Sequence, residues 1–143
     1  KALRGPLIRG GGRVVNVTSV AGRMAAGTIS AYNASKFAFE AFSDALRQEW
    51  APWGVGVSII EPGFFDTPIL TKAVSHFEEL WETLPEDKQR EYGRDYYQKL
   101  TRDAQKVMHV VAQDPAWVVS DMEHAISSVL PRTRYKPGYD TWL

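Results

Sequence analysis

The sequence contains no cysteine, which excludes disulfide frameworks, thiolate zinc sites, iron–sulfur ligation and cysteine nucleophiles in one step. Neither charge is in excess: 17 Lys and Arg face 17 Asp and Glu, for a formal net charge of zero. Binding through bulk charge to a phosphate backbone or an anionic lipid surface is therefore not implied, and no nucleic-acid partner is expected. Long apolar runs are missing too. The run from Val107 to Ala112 is interrupted by His109, far short of the roughly 20 residues that a membrane-spanning helix needs. His76, His109 and His124 lack metal-ligand spacing among themselves, and no metal is expected. No internal repeat, low-complexity tract or long linker interrupts the 143 residues, so a single domain over 1–143 is the expectation. With 44% hydrophobic residues, a chain of this length can bury a core without a metal or disulfide staple.

Two short runs rich in β-branched residues read as buried parallel strands, Arg13 to Ser19 and Val55 to Ile60. Between them, Ser30 to Trp50 carries Ala34, Phe37, Ala38, Ala41, Phe42, Ala45, Leu46 and Trp50 at three- and four-residue steps, which predicts an amphipathic helix. Pro52 and Gly54 stop it. Strand, long helix and strand make a right-handed βαβ unit with parallel strands. Ser19 and the Glu61-Pro62-Gly63 corner then sit at the carboxyl ends of neighbouring strands, where open α/β sheets bind ligands. Beyond Gly63, Phe64, Phe65, Phe77, Trp81, Tyr92, Tyr96 and Tyr97 crowd a polar stretch interrupted by Pro68 and Pro85. It reads as two or three helices covering the sheet edge, either packing on the core or lining a pocket for a large apolar alcohol. A last helix is expected from Asp114-Pro115 to Pro131, followed by a strand within Arg132 to Tyr139.

Tyr32 and Lys36 stand four apart at the start of the long helix, so they share a face. A phenol ordinarily keeps its proton at neutral pH. An ammonium one turn away favours the anion and makes the phenol usable as a general acid or base. Ser19, on the same sheet edge, offers a hydroxyl to a substrate oxygen as the proton moves. Each of these residues also has an ordinary structural role, in a turn or on a helix surface. What singles them out is that three complementary groups fall at one edge of one βαβ unit. No glycine-flanked nucleophile turn accompanies Ser19, so a hydrolase triad is not indicated.

Thr18-Ser19, thirteen residues on to Tyr32-Asn-Ala-Ser-Lys36, then Glu61-Pro-Gly63 with Thr67 beyond, closely resembles the short-chain dehydrogenase/reductase family. Glu123-His-Ala125, Pro131-Arg-Thr-Arg-Tyr135 and Gly138-Tyr-Asp140 resemble its branch of retinol dehydrogenases, 17β-hydroxysteroid dehydrogenases and D-β-hydroxybutyrate dehydrogenase. The resemblance implies an α/β fold, the carboxyl-side half of a Rossmann-like doubly wound parallel sheet with flanking helices. By resemblance, Ser19 orients the substrate oxygen and Tyr32 is general base in oxidation and general acid in reduction. Lys36 supports the tyrosine and contacts the nicotinamide ribose, while Pro62, Gly63 and Thr67 pack against the nicotinamide and its carboxamide. The implied cofactor is NAD, with NADP as the alternative, and the implied partner is a small alcohol or carbonyl substrate.

The glycine-rich pyrophosphate turn of that family belongs after a first strand, whereas Gly10 to Gly12 precedes one. The residue that selects NAD or NADP and the asparagine completing the family's catalytic tetrad are also missing; Asn16 and Asn33 stand in the wrong places. With Lys1 in first position, the chain reads as a single partial domain lacking the nucleotide-binding half, inactive by itself. Three readings follow: a dehydrogenase of apolar alcohols such as retinoids or hydroxysteroids, a dehydrogenase of short hydroxy acids such as 3-hydroxybutyrate, and a noncatalytic form that associates through the helix Ser30 to Trp50. In that family the helix commonly packs against its counterpart in a dimer. The resemblance implies an intracellular setting, endoplasmic reticulum or mitochondrion, and leaves membrane association open.

Overall fold

A computed structural model of the chain describes residues 3–142, the side chains of residues 70, 71, 73, 74, 77, 97, 101, 108 and 142 excepted. Phe77 and Tyr97 of the aromatic series therefore lie outside the described side chains. The chain divides into two compact units, 1–63 with 116–143, and 64–115.

The first unit is an α/β body. Helix α1 (Arg4–Arg9) turns through Gly10 and Gly11 into strand β1 (Arg13–Val17). Gly11 takes φ +57, a left-handed conformation that glycine adopts without steric cost. A 3-10 turn (Val20–Gly22) and a loop lead to helix α2 (Ser30–Trp50), whose bounds are those that the periodicity predicts. A second 3-10 turn (Ala51–Trp53) and Gly54, at φ +69, end it and deliver the chain to strand β2 (Gly56–Ile60). Strands β1 and β2 pair in parallel with Arg13 beside Gly56 and Val17 beside Ile60. Strand β3 (Arg134–Tyr135) pairs in parallel with the far side of β2 at Ile59 and Ile60, for the order β1-β2-β3.

Both predicted strands are buried unequally, for a positional reason. Central β2 has Val57, Ser58, Ile59 and Ile60 all buried, whereas β1, paired on one side only among the described residues, is half-buried and leaves Val17 39% exposed. The compact core joins Ile60, Ala125 and Tyr135 with Val15, Val118 and Met122 packed around them. Each fully buried apolar side chain of this size contributes about 1.5–3 kcal/mol.

Helix α2 turns its polar stripe inward. Asn33, Glu40 and Ser43 are buried, while Phe37 and Phe42 on the apolar side are 44% and 55% exposed. The buried polar groups are held by specific partners: Asn33 Nδ2 donates to the Ala26 carbonyl at 2.7 Å, and Asn16 on β1 donates to Ser43 Oγ at 2.8 Å.

After the second unit, the chain re-enters the first through the helix Ala116–Ser127. It stops three residues short of Leu130, the expected last residue before the Pro131 stop. Groups that the next turn would use are already paired: Arg13 Nη1 donates to the Ala125 and Ile126 carbonyls at 3.2 and 2.8 Å, and Ser128 Oγ accepts from the Leu130 N–H at 3.2 Å, bonds that compete with the helix. Val129 and Leu130 are consequently exposed rather than carried on a helix face.

The second unit contains α3 (Pro68–Thr83), α4 (Glu86–Tyr92) and α5 (Arg94–Val111), which makes the Ala116–Ser127 helix α6. Pro68 opens α3 and Pro85 stands at the N-cap of α4, positions that tolerate a residue without an N–H. Phe65 and Trp81 are buried, whereas Tyr92 and Tyr96 are more than half exposed. No described helix is long and apolar enough to cross a membrane.

Candidate active site

The parallel register of β1 and β2 brings the chain's two exits from the sheet together. Thr18 is buried just past β1, with its N–H and its hydroxyl both donating to the Ile60 carbonyl at 2.8 and 3.2 Å. Ser19 follows in extended backbone and caps the 3-10 turn, its Oγ accepting the Ala21 N–H at 3.2 Å. The same Oγ lies 3.5 Å from the Pro62 carbonyl oxygen, which also accepts the Val20 N–H at 2.9 Å. Ser19 and Pro62 are thus direct neighbours, fixed by backbone hydrogen bonds on both sides.

Helix α2 supplies the other pair. Tyr32, 41% exposed, stands in its first turn, and the Lys36 ammonium lies 5.6 Å from the centroid of the phenol ring, within the range of a cation–π contact. The four-residue spacing thus delivers the predicted juxtaposition. The 3-10 turn after Ser19 lies directly on this part of α2: a Cβ added at Gly22 would meet the Lys36 carbonyl oxygen at 3.1 Å and Glu40 Cγ at 2.9 Å. Ser19 is three residues from that contact and Tyr32 one helical turn from it, so the seating of the turn on α2 sets both.

Gly63 continues the β2 exit. Its N–H donates to the Pro137 carbonyl at 3.4 Å, and the Asp140 carboxylate presses so closely on its Cα that any Cβ there would collide with it. Of the six residues predicted for the site, Ser19, Tyr32, Lys36, Pro62 and Gly63 belong to the first unit. Thr67 belongs to the second, half-buried at the N-cap of α3.

Behind these residues lies a charge network that the motif search did not single out. Arg134 on β3 donates through Nη1 to both Glu40 and Glu61 and through Nη2 to Asp44 at 2.6 Å. Arg47 pairs with Asp44 at 2.8 Å, and Arg23 stands 3.5 Å from Glu61. Burial opposes the charge on Arg134, but the hydrogen bonds and attraction of Glu40 and Glu61 outweigh it and push its pKa above the usual arginine value. Burial likewise opposes the charge on Asp44, yet Arg47 and Arg134 together hold its carboxyl below the usual range. The sequence signals available were the Glu61-Pro-Gly63 and Pro131-Arg-Thr-Arg-Tyr135 motifs, which hold Glu61 and Arg134, and the spacing by which Glu40 follows Lys36 by four residues.

The histidines do packing work or lie at the surface. His124 Nδ1 shares a 2.8 Å hydrogen bond with the buried Tyr135 hydroxyl, which also accepts the Arg132 N–H at 2.9 Å. His76 is exposed beside Glu79. Among the described residues no three His, Asp or Glu side chains gather as a metal site.

A family profile described as short chain dehydrogenase matches residues 2–78. The chain belongs to the short-chain dehydrogenase family. Among its curated relatives, "Retinol dehydrogenase 5" of Mus musculus is 46% identical over 136 residues, covering 92% of this chain and 42% of the relative. "17-beta-hydroxysteroid dehydrogenase type 6" of Homo sapiens is 38% identical over 138 residues, covering 94% and 43%. The chain thus spans about two fifths of the length of these relatives. A short-chain dehydrogenase from Streptomyces avermitilis superposes with a TM-score of 0.67 at 27% identity, covering 99% of this chain and 47% of that one. The α/β body with its parallel sheet is accordingly that of a short-chain dehydrogenase, on the retinol and hydroxysteroid dehydrogenase branch that the motifs suggest.

Proposed function

We propose that this short-chain dehydrogenase chain carries the proton-transfer half of an oxidoreductase that interconverts an alcohol and a carbonyl with a nicotinamide cofactor. The observation that carries the reading is the Lys36 ammonium 5.6 Å from the Tyr32 ring, on a helix packed against the turn that Ser19 caps. The donor set fits a nicotinamide nucleoside beside an alcohol: a cation for ribose hydroxyls, a half-exposed phenol, a serine hydroxyl, and a Pro-Gly corner with no bulky side chain. Lys36, Pro62 and Gly63 would hold the cofactor, which when bound supplies the hydride acceptor or donor.

The chain's own part is proton chemistry and orientation. Ser19 Oγ, tied to the Ala21 N–H, donates to the substrate oxygen and fixes its direction. The Tyr32 phenolate takes the alcohol proton in oxidation, and the phenol so formed gives that proton to the carbonyl oxygen in reduction. Lys36 stabilises the charge that develops on the phenol at that moment. The names of the retinol and hydroxysteroid relatives favour a large apolar alcohol over a short hydroxy acid such as 3-hydroxybutyrate. The hydroxy acid would require a cation for its carboxylate.

In the product of the complete coding sequence, Tyr32→Phe is expected to lower kcat at least 100-fold while leaving nicotinamide binding, followed by fluorescence titration, within about twofold of the wild type. Unchanged turnover would remove Tyr32 from the mechanism. A panel of retinol, a hydroxysteroid and 3-hydroxybutyrate separates the substrate classes, the first two being expected to turn over at micromolar concentrations.

A second reading concerns association through α2. Its apolar side, with Phe37 and Phe42 about half exposed, is the kind of surface that a partner helix covers. Replacing both phenylalanines by glutamate is expected to halve the sedimenting mass; an unaltered mass in analytical ultracentrifugation refutes the interface.

A further inference from the structure

We propose that Arg134 is a positioning residue for the Ser19, Tyr32 and Lys36 group, clamping the helix of Tyr32 and Lys36 to the Pro62-Gly63 corner through Glu40, Asp44 and Glu61, the last of which Arg23 ties to the Ser19 turn. The proposal rests on the oxidoreductase reading for its kinetic consequence and on geometry alone for the clamp.

Each segment of the candidate site contributes at least one carboxylate or guanidinium to a single network. The Ser19 turn ends in Arg23, which stands 3.5 Å from Glu61. The helix of Tyr32 and Lys36 contributes Glu40, one turn beyond Lys36, and Asp44, one turn further. The corner of Pro62 and Gly63 contributes Glu61, the residue immediately before it, 1% exposed. Arg134 sits at the centre, donating to Glu40, Glu61 and Asp44 from two nitrogens of one planar fork. It comes from β3, which carries none of the six predicted site residues. Glu40 and Glu61 are separated from it by 94 and 73 residues of sequence, so the bonds fix tertiary placement rather than local helix or strand.

The chemistry favours positioning over simple stabilisation. A buried ion pair is weak evidence of net stability, because desolvation offsets most of its attraction, whereas its best attested use is to specify one arrangement. The guanidinium fork suits that use, since its donors have fixed mutual angles that an ammonium cannot reproduce. A displacement of about 1 Å among reacting groups can lower turnover by two orders of magnitude. Glu40 stands one turn from Lys36 and Glu61 directly before Pro62, so the network acts through them.

The test uses Arg134→Lys, which keeps the charge but loses the fork, and Glu40→Gln, which removes one arm without stranding a buried charge, both in the product of the complete coding sequence. Arg134→Lys is expected to lower kcat about tenfold or more with substrate KM within about twofold. Its pH–rate profile should move relative to the wild type, while Glu40→Gln gives a smaller loss in the same direction. Independently of turnover, amide hydrogen exchange should rise together at residues 19–23, 32–40 and 61–63 in Arg134→Lys. Wild-type rates of exchange at those three segments would overturn the clamp. A kcat that falls only in step with a lower melting temperature, with an unmoved pH profile, would overturn the positioning role. A wild-type protein inactive on every alcohol tried would refute the oxidoreductase reading, and the exchange experiment would still decide the clamp.

Discussion

Asp121 shows how a single side chain can work against its own fold. Burial raises its carboxyl above the ordinary carboxylate value, and the nearby Arg132 and His124 offset only part of that penalty. A carboxyl whose folded pKa is raised binds its proton more tightly in the native state, so it costs stability as pH rises through the unfolded value and beyond. Asp121→Asn is therefore expected to raise the melting temperature at pH 7 by roughly 1–3 °C, with the gain vanishing below about pH 3, where both forms are uncharged. Differential scanning calorimetry of the two proteins across pH checks this. At the same scale, Tyr32 and Lys36 were legible in the sequence because four residues of helix suffice to bring them together. Asp121 was not, since its burial depends on how α6 lies against the rest of the first unit.

Among the elements, α2 and the 3-10 turn after Ser19 matter most for the candidate site. Their contact leaves no room at Gly22, where a Cβ would meet Glu40 Cγ at 2.9 Å and the Lys36 carbonyl at 3.1 Å. Glu40 is buried and held by Arg134, and the backbone oxygen cannot yield without moving the helix. Gly22→Ala is expected to destabilise by about 1–3 kcal/mol, less the few tenths regained from a stiffer unfolded chain, as measured by urea unfolding. Local pattern predicted the bounds of α2 to the residue, because its proline and glycine stops are encoded beside it. The end of α6 falls three residues earlier than the spacing predicts. Val129 and Leu130 continue the helical spacing, but Arg13 and the hydroxyl of Ser128 satisfy backbone groups that the next turn would have used.

For the molecule as a whole, the ion network of Arg134 links β2, β3 and α2 and makes the first unit sensitive to acid. Arg47 and Arg134 hold the Asp44 carboxyl below its usual value despite the opposing effect of burial. A group whose folded pKa is depressed contributes stability above its unfolded value and loses it as pH falls through the folded one. Asp44→Asn is thus expected to melt below the wild type at pH 7, and the two curves should converge as pH falls through the lowered folded-state value, beneath the ordinary carboxylate range. Thermal unfolding followed by circular dichroism over that range tests the sign. Convergence at neutral pH would remove Asp44 from the network's stabilising role.

Two kinds of information meet in this chain. The βαβ unit, its parallel strands and the residues Ser19, Tyr32, Lys36, Pro62 and Gly63 follow from sequence alone, because strand pattern, helix period and turn chemistry act over a few residues. The parallel crossover then leaves one sheet edge where they can gather. Tertiary structure decided which face of α2 is buried. Its apolar side is the obvious candidate for the core, yet Glu40 and Ser43 go inward because Arg134 and Asn16, distant in sequence, await them with matching hydrogen bonds. A charge can be buried only where its partner is already placed, and that placement belongs to the folded chain, not to any stretch of its sequence.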